Sequence, residues 1–151
     1  MDRRILCAFI IVASLVGFST PAAAQAGPGV RTGLSVDPDQ WYFGGHFETN
    51  ALWEQLYFRP NVEIGLGDDV TTVAANIEAI YKIPLRNTRG TSFYFGGGPA
   101  ILIYDHDDDS DSEGGLNLLG GLEFGNNFFF EVKGGLFDSP NMKVGIGYTF
   151  R

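Results

Sequence analysis

The sequence predicts an all-β chain: an eight-stranded antiparallel up-and-down transmembrane β-barrel that follows a cleaved signal peptide. Three observations carry this prediction. The first residues have the three-part pattern of an export signal, the remainder alternates apolar and polar residues at period two, and no stretch after residue 24 is long and apolar enough for a spanning helix.

The chain opens Met1-Asp2-Arg3-Arg4, runs through apolar residues from Ile5 to Phe18 and closes on Ala22-Ala23-Ala24-Gln25. A basic start, a short apolar stretch and an A-x-A site predict a secretory signal over residues 1–24, cut after Ala24 and exported through the Sec pathway. A membrane anchor is the poorer reading, because the run falls short of the roughly 20 residues that a spanning helix needs. Cys7 is the single cysteine and precedes the cut, so residues 25–151 have neither disulfide nor thiol chemistry. That length makes one domain. It holds 8 Lys/Arg against 17 Asp/Glu, which argues against nucleic acid as a partner, since phosphate binding needs a basic surface.

Eight segments follow, each bounded by Gly, Pro, Asn or Asp. Their apolar rows are, in order, Val30, Leu34, Val36; Trp41, Phe43, Phe47; Leu56, Phe58, Val62, Ile64; and Val73, Ala75, Ile77, Ala79, Tyr81, Ile83. The second half continues with Phe93, Phe95, Ile101, Ile103; Leu116, Leu118, Leu122, Phe124; Phe128, Phe130, Val132, Leu136; and Met142, Val144, Ile146, Tyr148, Phe150. Each segment is near the ~9–11 residues that a tilted strand needs to cross the hydrocarbon layer. Pro60 and Pro99 fall mid-strand and each removes a ladder hydrogen bond, which counts against these strand boundaries unless a bulge at either site repairs the ladder.

With parity set by the apolar residues alone, the charges inside the strands all fall on the other row. They are Arg31, Arg59, Lys82, Lys133 and Lys143 with Glu48, Glu63, Glu78, Glu123 and Glu131, a balanced set accompanied by glycines, Asn61, Asn76, Asn117, Ser35 and Thr149. Alternation does not itself say which row faces inward. An eight-stranded barrel is only wide enough for its inward side chains to fill it, so the glycine-rich row of ion pairs fits the interior and the apolar row faces lipid. The competing architectures are a soluble exported barrel in the periplasm, with an apolar ligand inside, and a two-sheet sandwich.

The connections sort by charge. Those after the first, third, fifth and seventh strands contain Asp37-Pro38-Asp39, Gly67-Asp68-Asp69, the stretch 105–113 and Asp138-Ser139-Pro140-Asn141, with eleven acids and no Lys or Arg. The opposite end holds Glu54, Arg86, Arg89 and Arg151. Asp favours turns, but that preference does not explain why only alternate turns are acidic. No charge is left for the lipid-facing row, where a Lys or Arg at the midplane costs roughly 2–4 kcal/mol.

The last segment, Lys143-Val144-Gly145-Ile146-Gly147-Tyr148-Thr149-Phe150, resembles the terminal strand signal of bacterial outer-membrane proteins. Lys143, Gly145, Tyr148 and Phe150 match that pattern residue by residue, while Arg151 departs from it, because the family ends on the aromatic itself. Over residues 29–151 the chain is similar to the small outer-membrane β-barrel proteins. The resemblance implies a place in the Gram-negative outer membrane, with the acidic end extracellular. It also implies contact with outer-membrane lipid and lipopolysaccharide, insertion by the barrel assembly machinery, and a monomer with a structural, surface or envelope-maintenance role.

Three sites compete with a purely structural reading. Asp105, Asp107, Asp109, Asp111 and Glu113 could offer carboxylates to Ca²⁺, although a solvated extracellular loop explains them as well and the helix–loop–helix pattern is absent. His46 lies on the inward row with Glu48 two residues on, and Ser35 on the first strand could neighbour them, which supplies the parts of a lipid hydrolase. An interior hydrogen-bonded histidine is the simpler account. The inner row could also line a pore, but eight strands leave little lumen. No cofactor or catalysis is expected.

Overall fold

The structure is a computed structural model and describes residues 26–68, 70–106 and 109–151, without the side chains of His106 and Asp109. The expected signal peptide, residues 1–24, lies outside the described residues, as do Asp69, Asp107 and Asp108. Runs rich in β-branched and aromatic residues, separated by turn-forming Gly, Asn, Asp and Pro, form eight strands. These are β1 (Gly27–Val36), β2 (Gln40–Glu48), β3 (Leu56–Leu66), β4 (Thr71–Pro84), β5 (Ser92–His106), β6 (Asp109–Glu123), β7 (Phe128–Phe137) and β8 (Met142–Thr149).

Each strand pairs antiparallel with the next, and β8 closes on β1 from Gly29↔Thr149 to Val36↔Met142. Closure pairs both sides of every strand and leaves the barrel wall without the free edge that invites aggregation. At the inner end, opposite the acidic connections, the β6–β7 turn is tight. Phe124 N–H donates to Phe128 O at 2.8 Å, and Asn127 takes a φ of 65°, a left-handed conformation that asparagine tolerates.

The predicted parity is the observed one. Leu34 and Ile101 are 64 % and 63 % exposed on the outer surface, whereas Arg59 and Glu48 are 0 % exposed inside. A soluble protein does the reverse and almost never buries Arg or Glu completely. The apolar-lined carrier and the sandwich are therefore both incompatible with the closed, charge-filled barrel. Exposed Trp41, Phe43, Phe58, Phe93, Phe95, Phe130 and Tyr148, with aliphatic neighbours, form a continuous apolar surface. A water-soluble monomer rarely exposes a contiguous apolar patch of more than a few hundred Å², and a band of outward aromatic and aliphatic residues suits a hydrocarbon surrounding.

Two expectations need correction. Neither proline produces a bulge. The β2–β3 pairing runs from Trp41↔Leu66 to His46↔Asn61, lapses beside Pro60, and resumes in the same register where Thr49 N–H donates to Phe58 O at 2.9 Å. Likewise β4–β5 lapses between Asn76↔Ala100 and Ala79↔Gly97 and keeps its register past Pro99. The missing donor is absorbed by a local gap in one ladder, with the strand still paired on its other side at Pro60↔Ile77 and Pro99↔Leu116.

The second correction concerns residues 105–113, which the sequence suggests as a loop. β5 continues to His106 and β6 begins at Asp109, paired from Leu102↔Glu113 to His106↔Asp109. β7 joins β6 only at Gly115↔Phe137, so this acidic ribbon projects beyond its neighbour. Ladder hydrogen bonds to an adjacent strand here override the weak strand preference of Asp and Ser.

Candidate functional site

Inward side chains from strands that close on one another must meet across the lumen, and here the meeting produces one charge network. Near the inner mouth Lys82 lies 2.6 Å from Glu48 and 2.8 Å from Glu123, and Arg151 pairs with both carboxylates. Arg59 reaches Glu48 at 2.7 Å and Glu131 at 3.0 Å, linking this cluster to the middle of the barrel. There Arg31 contacts Glu131 at 3.2 Å and Glu63 at 3.3 Å, while Lys133 holds Glu63 at 2.9 Å and Glu78 at 2.5 Å. Lys143 closes the outer side at 2.8 Å from Glu63.

All ten charges assigned to the interior from the sequence are brought together, and an eleventh joins them. Arg151 belongs to the network, whereas the sequence reading groups it with the inner connections. The cause is strand continuation: Phe150 N–H donates to Pro28 O at 2.8 Å, so the backbone stays paired beyond Thr149 and residue 151 keeps the inward parity of Lys143, Gly145, Gly147 and Thr149. The interior is thus not neutral. Among the described residues it holds six cations and five carboxylates.

Aromatic side chains pack between the charges, and sequence reasoning missed them. Arg59 packs in the corner made by the near-perpendicular rings of Tyr94 and Phe129, each 4.9 Å from its guanidinium, while Lys82 sits 4.7 Å from the Tyr57 ring and Lys143 5.1 Å from that of Tyr42. Cation–π contact and apolar packing partly replace the water these cations lose. Glycines opposite the rings make room. A side chain at Gly33 or Gly145 would run into Tyr42, one at Gly147 into Phe129 and one at Gly121 into Tyr94. The available signal was parity: Tyr42, Tyr57, Tyr94 and Phe129 all fall on the glycine-rich row.

Further out, an amide chain runs across the barrel wall. Asn117 donates to Asn76 and Asn76 to Asn61, both at 2.8 Å, and Asn61 donates to Arg59 O at 3.2 Å. At the ring level, Tyr94 O–H donates to Glu131 at 2.9 Å. Because a hydrogen bond to a charged group is worth about 1.5–3 kcal/mol, Tyr94→Phe is expected to lower stability by roughly that amount. Urea unfolding in detergent micelles measures it, and an unchanged midpoint would show that Glu131 is satisfied by Arg31, Arg59 and Lys133 alone.

The parts of a hydrolase do not assemble. His46 approaches Thr149 Oγ1 at 3.0 Å and packs edge-on against Phe129, while Glu48 is held by Arg59, Lys82 and Arg151. Ser35 sits near the outer end, opposite Gln40, and its hydroxyl donates to Pro38 O at 2.9 Å; His46 lies opposite Gly29, toward the other mouth. The expected neighbourhood of Ser35 and His46 is therefore corrected by the register of β1 on β2.

The acidic ribbon likewise scatters its candidate ligands. Asp111 lies opposite Tyr104 and Glu113 opposite Leu102, on one face, while Asp105 pairs with Ser110 on the other. Asp107 and the side chain of Asp109 lie outside the described residues. The matched terminal-strand residues have structural places: Lys143 binds Glu63, Gly145 accommodates Tyr42, and Tyr148 and Phe150 stack edge-on at 5.1 Å on the outer surface.

Closed, charged within and apolar without, the chain has the architecture of a small eight-stranded outer-membrane β-barrel. It is similar in fold to the N-terminal β-barrel domain of Pseudomonas aeruginosa OprF, with a TM-score of 0.62 at 17 % sequence identity, over 83 % of this chain and 96 % of that one. It is also similar to the Yersinia pestis outer membrane protein Ail, with a TM-score of 0.49 at 13 % identity, over 83 % of this chain and 100 % of that one. Neither a family model nor a curated protein matches the sequence.

Proposed function

We propose that the protein is an integral barrel of the bacterial outer membrane with a structural, surface or envelope-maintenance role, acting neither as a catalyst nor as an open channel. One observation carries this reading: the lumen is crossed by a connected network in which each of the five interior carboxylates meets at least two cations. Charges so engaged are poorly placed to bind substrate or pass ions. Breaking such pairs is costly, whereas keeping them fixes one register and one packing.

In this reading Lys143, Gly145, Tyr148 and Phe150 present the assembly signal to the insertion machinery, and the monomeric barrel stands among outer-membrane lipid. Divalent ions bridge the acidic outer end to lipopolysaccharide phosphates.

Refolding into planar lipid bilayers tests the central part. The reading expects a folded band that shifts on boiling, together with no unitary conductance. Discrete ohmic channels would contradict the plugged lumen. A chain that stays soluble and monomeric without detergent would contradict the membrane placement. A deletion strain with increased sensitivity to detergent or bile salts would support envelope maintenance, and unchanged sensitivity would count against it.

A further inference from the structure

The inner end carries apolar and basic side chains that the barrel itself does not use. In the β2–β3 turn Leu52 and Trp53 are 57 % and 74 % exposed. The turn is nevertheless ordered: Leu52 N–H donates to Leu56 O and Leu56 N–H to Trp53 O, both at 2.8 Å, and Lys82 N–H ties Gln55 O to β4 at 3.0 Å. The neighbouring β4–β5 turn is closed by Leu85 N–H to Thr91 O at 2.9 Å and by the Thr88 hydroxyl on Leu85 O at 2.8 Å. It presents Arg86 and Arg89, both exposed and, among the described residues, without a carboxylate partner.

The two tryptophans of the chain differ in a telling way. Trp41, at the outer end, donates its indole N–H to Thr32 Oγ1 at 2.7 Å, while that of Trp53 has no partner among the described residues. An ordered tip with an apolar ring and a free donor suits the boundary where acyl chains meet polar headgroups. Leu52, Trp53 and Leu85 are exposed apolar residues at the end of the barrel that the outward rows of Phe58 and Ile83 reach. Two unpaired arginines beside that boundary, against the single acid Glu54 of the described inner turns, select for negative headgroups.

We propose that the β2–β3 and β4–β5 turns form a docking surface for an anionic glycerophospholipid, with Leu52 and Trp53 at the glycerol level and Trp53, Arg86 and Arg89 donating to the headgroup phosphate. The proposal rests on the membrane reading above and adds a lipid class to it. Each arginine near an anionic surface is worth about a fivefold change in local occupancy, and the preference fades at high salt.

Trp41→Phe leaves Trp53 as the sole tryptophan of the full chain. This variant is refolded into vesicles of equal parts phosphatidylcholine and phosphatidylglycerol, with bromine on the acyl chains of one lipid at a time. Trp53 is expected to emit at shorter wavelength than in water and to be quenched more by brominated phosphatidylglycerol than by brominated phosphatidylcholine. Adding Arg86→Gln and Arg89→Gln is expected to remove that difference while the boiling-dependent gel shift persists, and Glu54→Gln is expected to enlarge it. Equal quenching by the two lipids, or a preference that survives loss of both arginines, would overturn the proposal. So would water-like emission from a folded barrel. A chain that gives no folded band in these vesicles would overturn the membrane reading, and the docking surface with it.

Discussion

Replacing Arg59 with leucine is expected to lower the stability of the folded barrel by about 3–5 kcal/mol, the cost typical of removing one partner from a buried charge pair. Arg59 is fully buried, donates to Glu48 and Glu131, and packs against the rings of Tyr94 and Phe129. Its loss separates the inner cluster from the middle one and opens a space beside the two rings. Glu48 keeps Lys82 and Arg151, but Glu131 loses a close cation. The weaker compensation of the buried Glu131, left with Arg31 at 3.2 Å and Lys133 at 3.6 Å, is then the dominant penalty, and Arg59→Leu combined with Glu131→Gln is expected to recover part of the loss. Urea unfolding in phospholipid vesicles, followed by the boiling-dependent gel shift, measures both. A change below about 1 kcal/mol, the range of a solvent-screened pair, would mean that water reaches this site.

Placing a charge on the outer row is expected to have an effect of similar size. Val132 lies midway along β7, on the lipid-facing surface and opposite Val144. Val132→Arg is expected to cost about 2–4 kcal/mol in bilayers, the range for a cation at the midplane of a transmembrane strand. At the rim the same charge costs only about 0–1 kcal/mol, so Leu136→Arg, on the same outward row toward the outer end of β7, is the matched control. Equal effects at the two positions would remove the depth dependence that a membrane surrounding imposes.

Parity was legible in the sequence; register was not. Period-two alternation places Glu48, Arg59 and Glu131 on one row because successive side chains in a strand alternate faces. Which of these charges meet depends on how strands are staggered, and that is decided by turns and by packing across the lumen. The same limit explains why Ser35 and His46 share an inward row yet lie toward opposite mouths.

Arg151 escapes a sequence reading because the apolar row ends at Phe150, although its odd number matches the inward row of β8. Tyr42, Tyr57, Tyr94 and Phe129 were overlooked because an aromatic residue on the polar row looks like noise until the glycines facing it are placed. The stretch 105–113 misled for another reason: acidic composition signals solvent exposure, and a solvent-exposed ribbon can still be paired strand. Pro60 and Pro99 showed that a closed wall tolerates a missing donor when the strand remains bonded on its other side.

The claim on which everything else depends is that the apolar row faces lipid and the charged row does not. Cys7 is the only cysteine, so in a Cys7→Ser background single cysteines at Phe130, Val132 and Ile146 can each carry a nitroxide label in vesicles. The account predicts that all three labels collide readily with oxygen dissolved in the bilayer and are shielded from a water-soluble nickel chelate. Labels on a folded barrel that instead relax with the nickel chelate and ignore oxygen would contradict it.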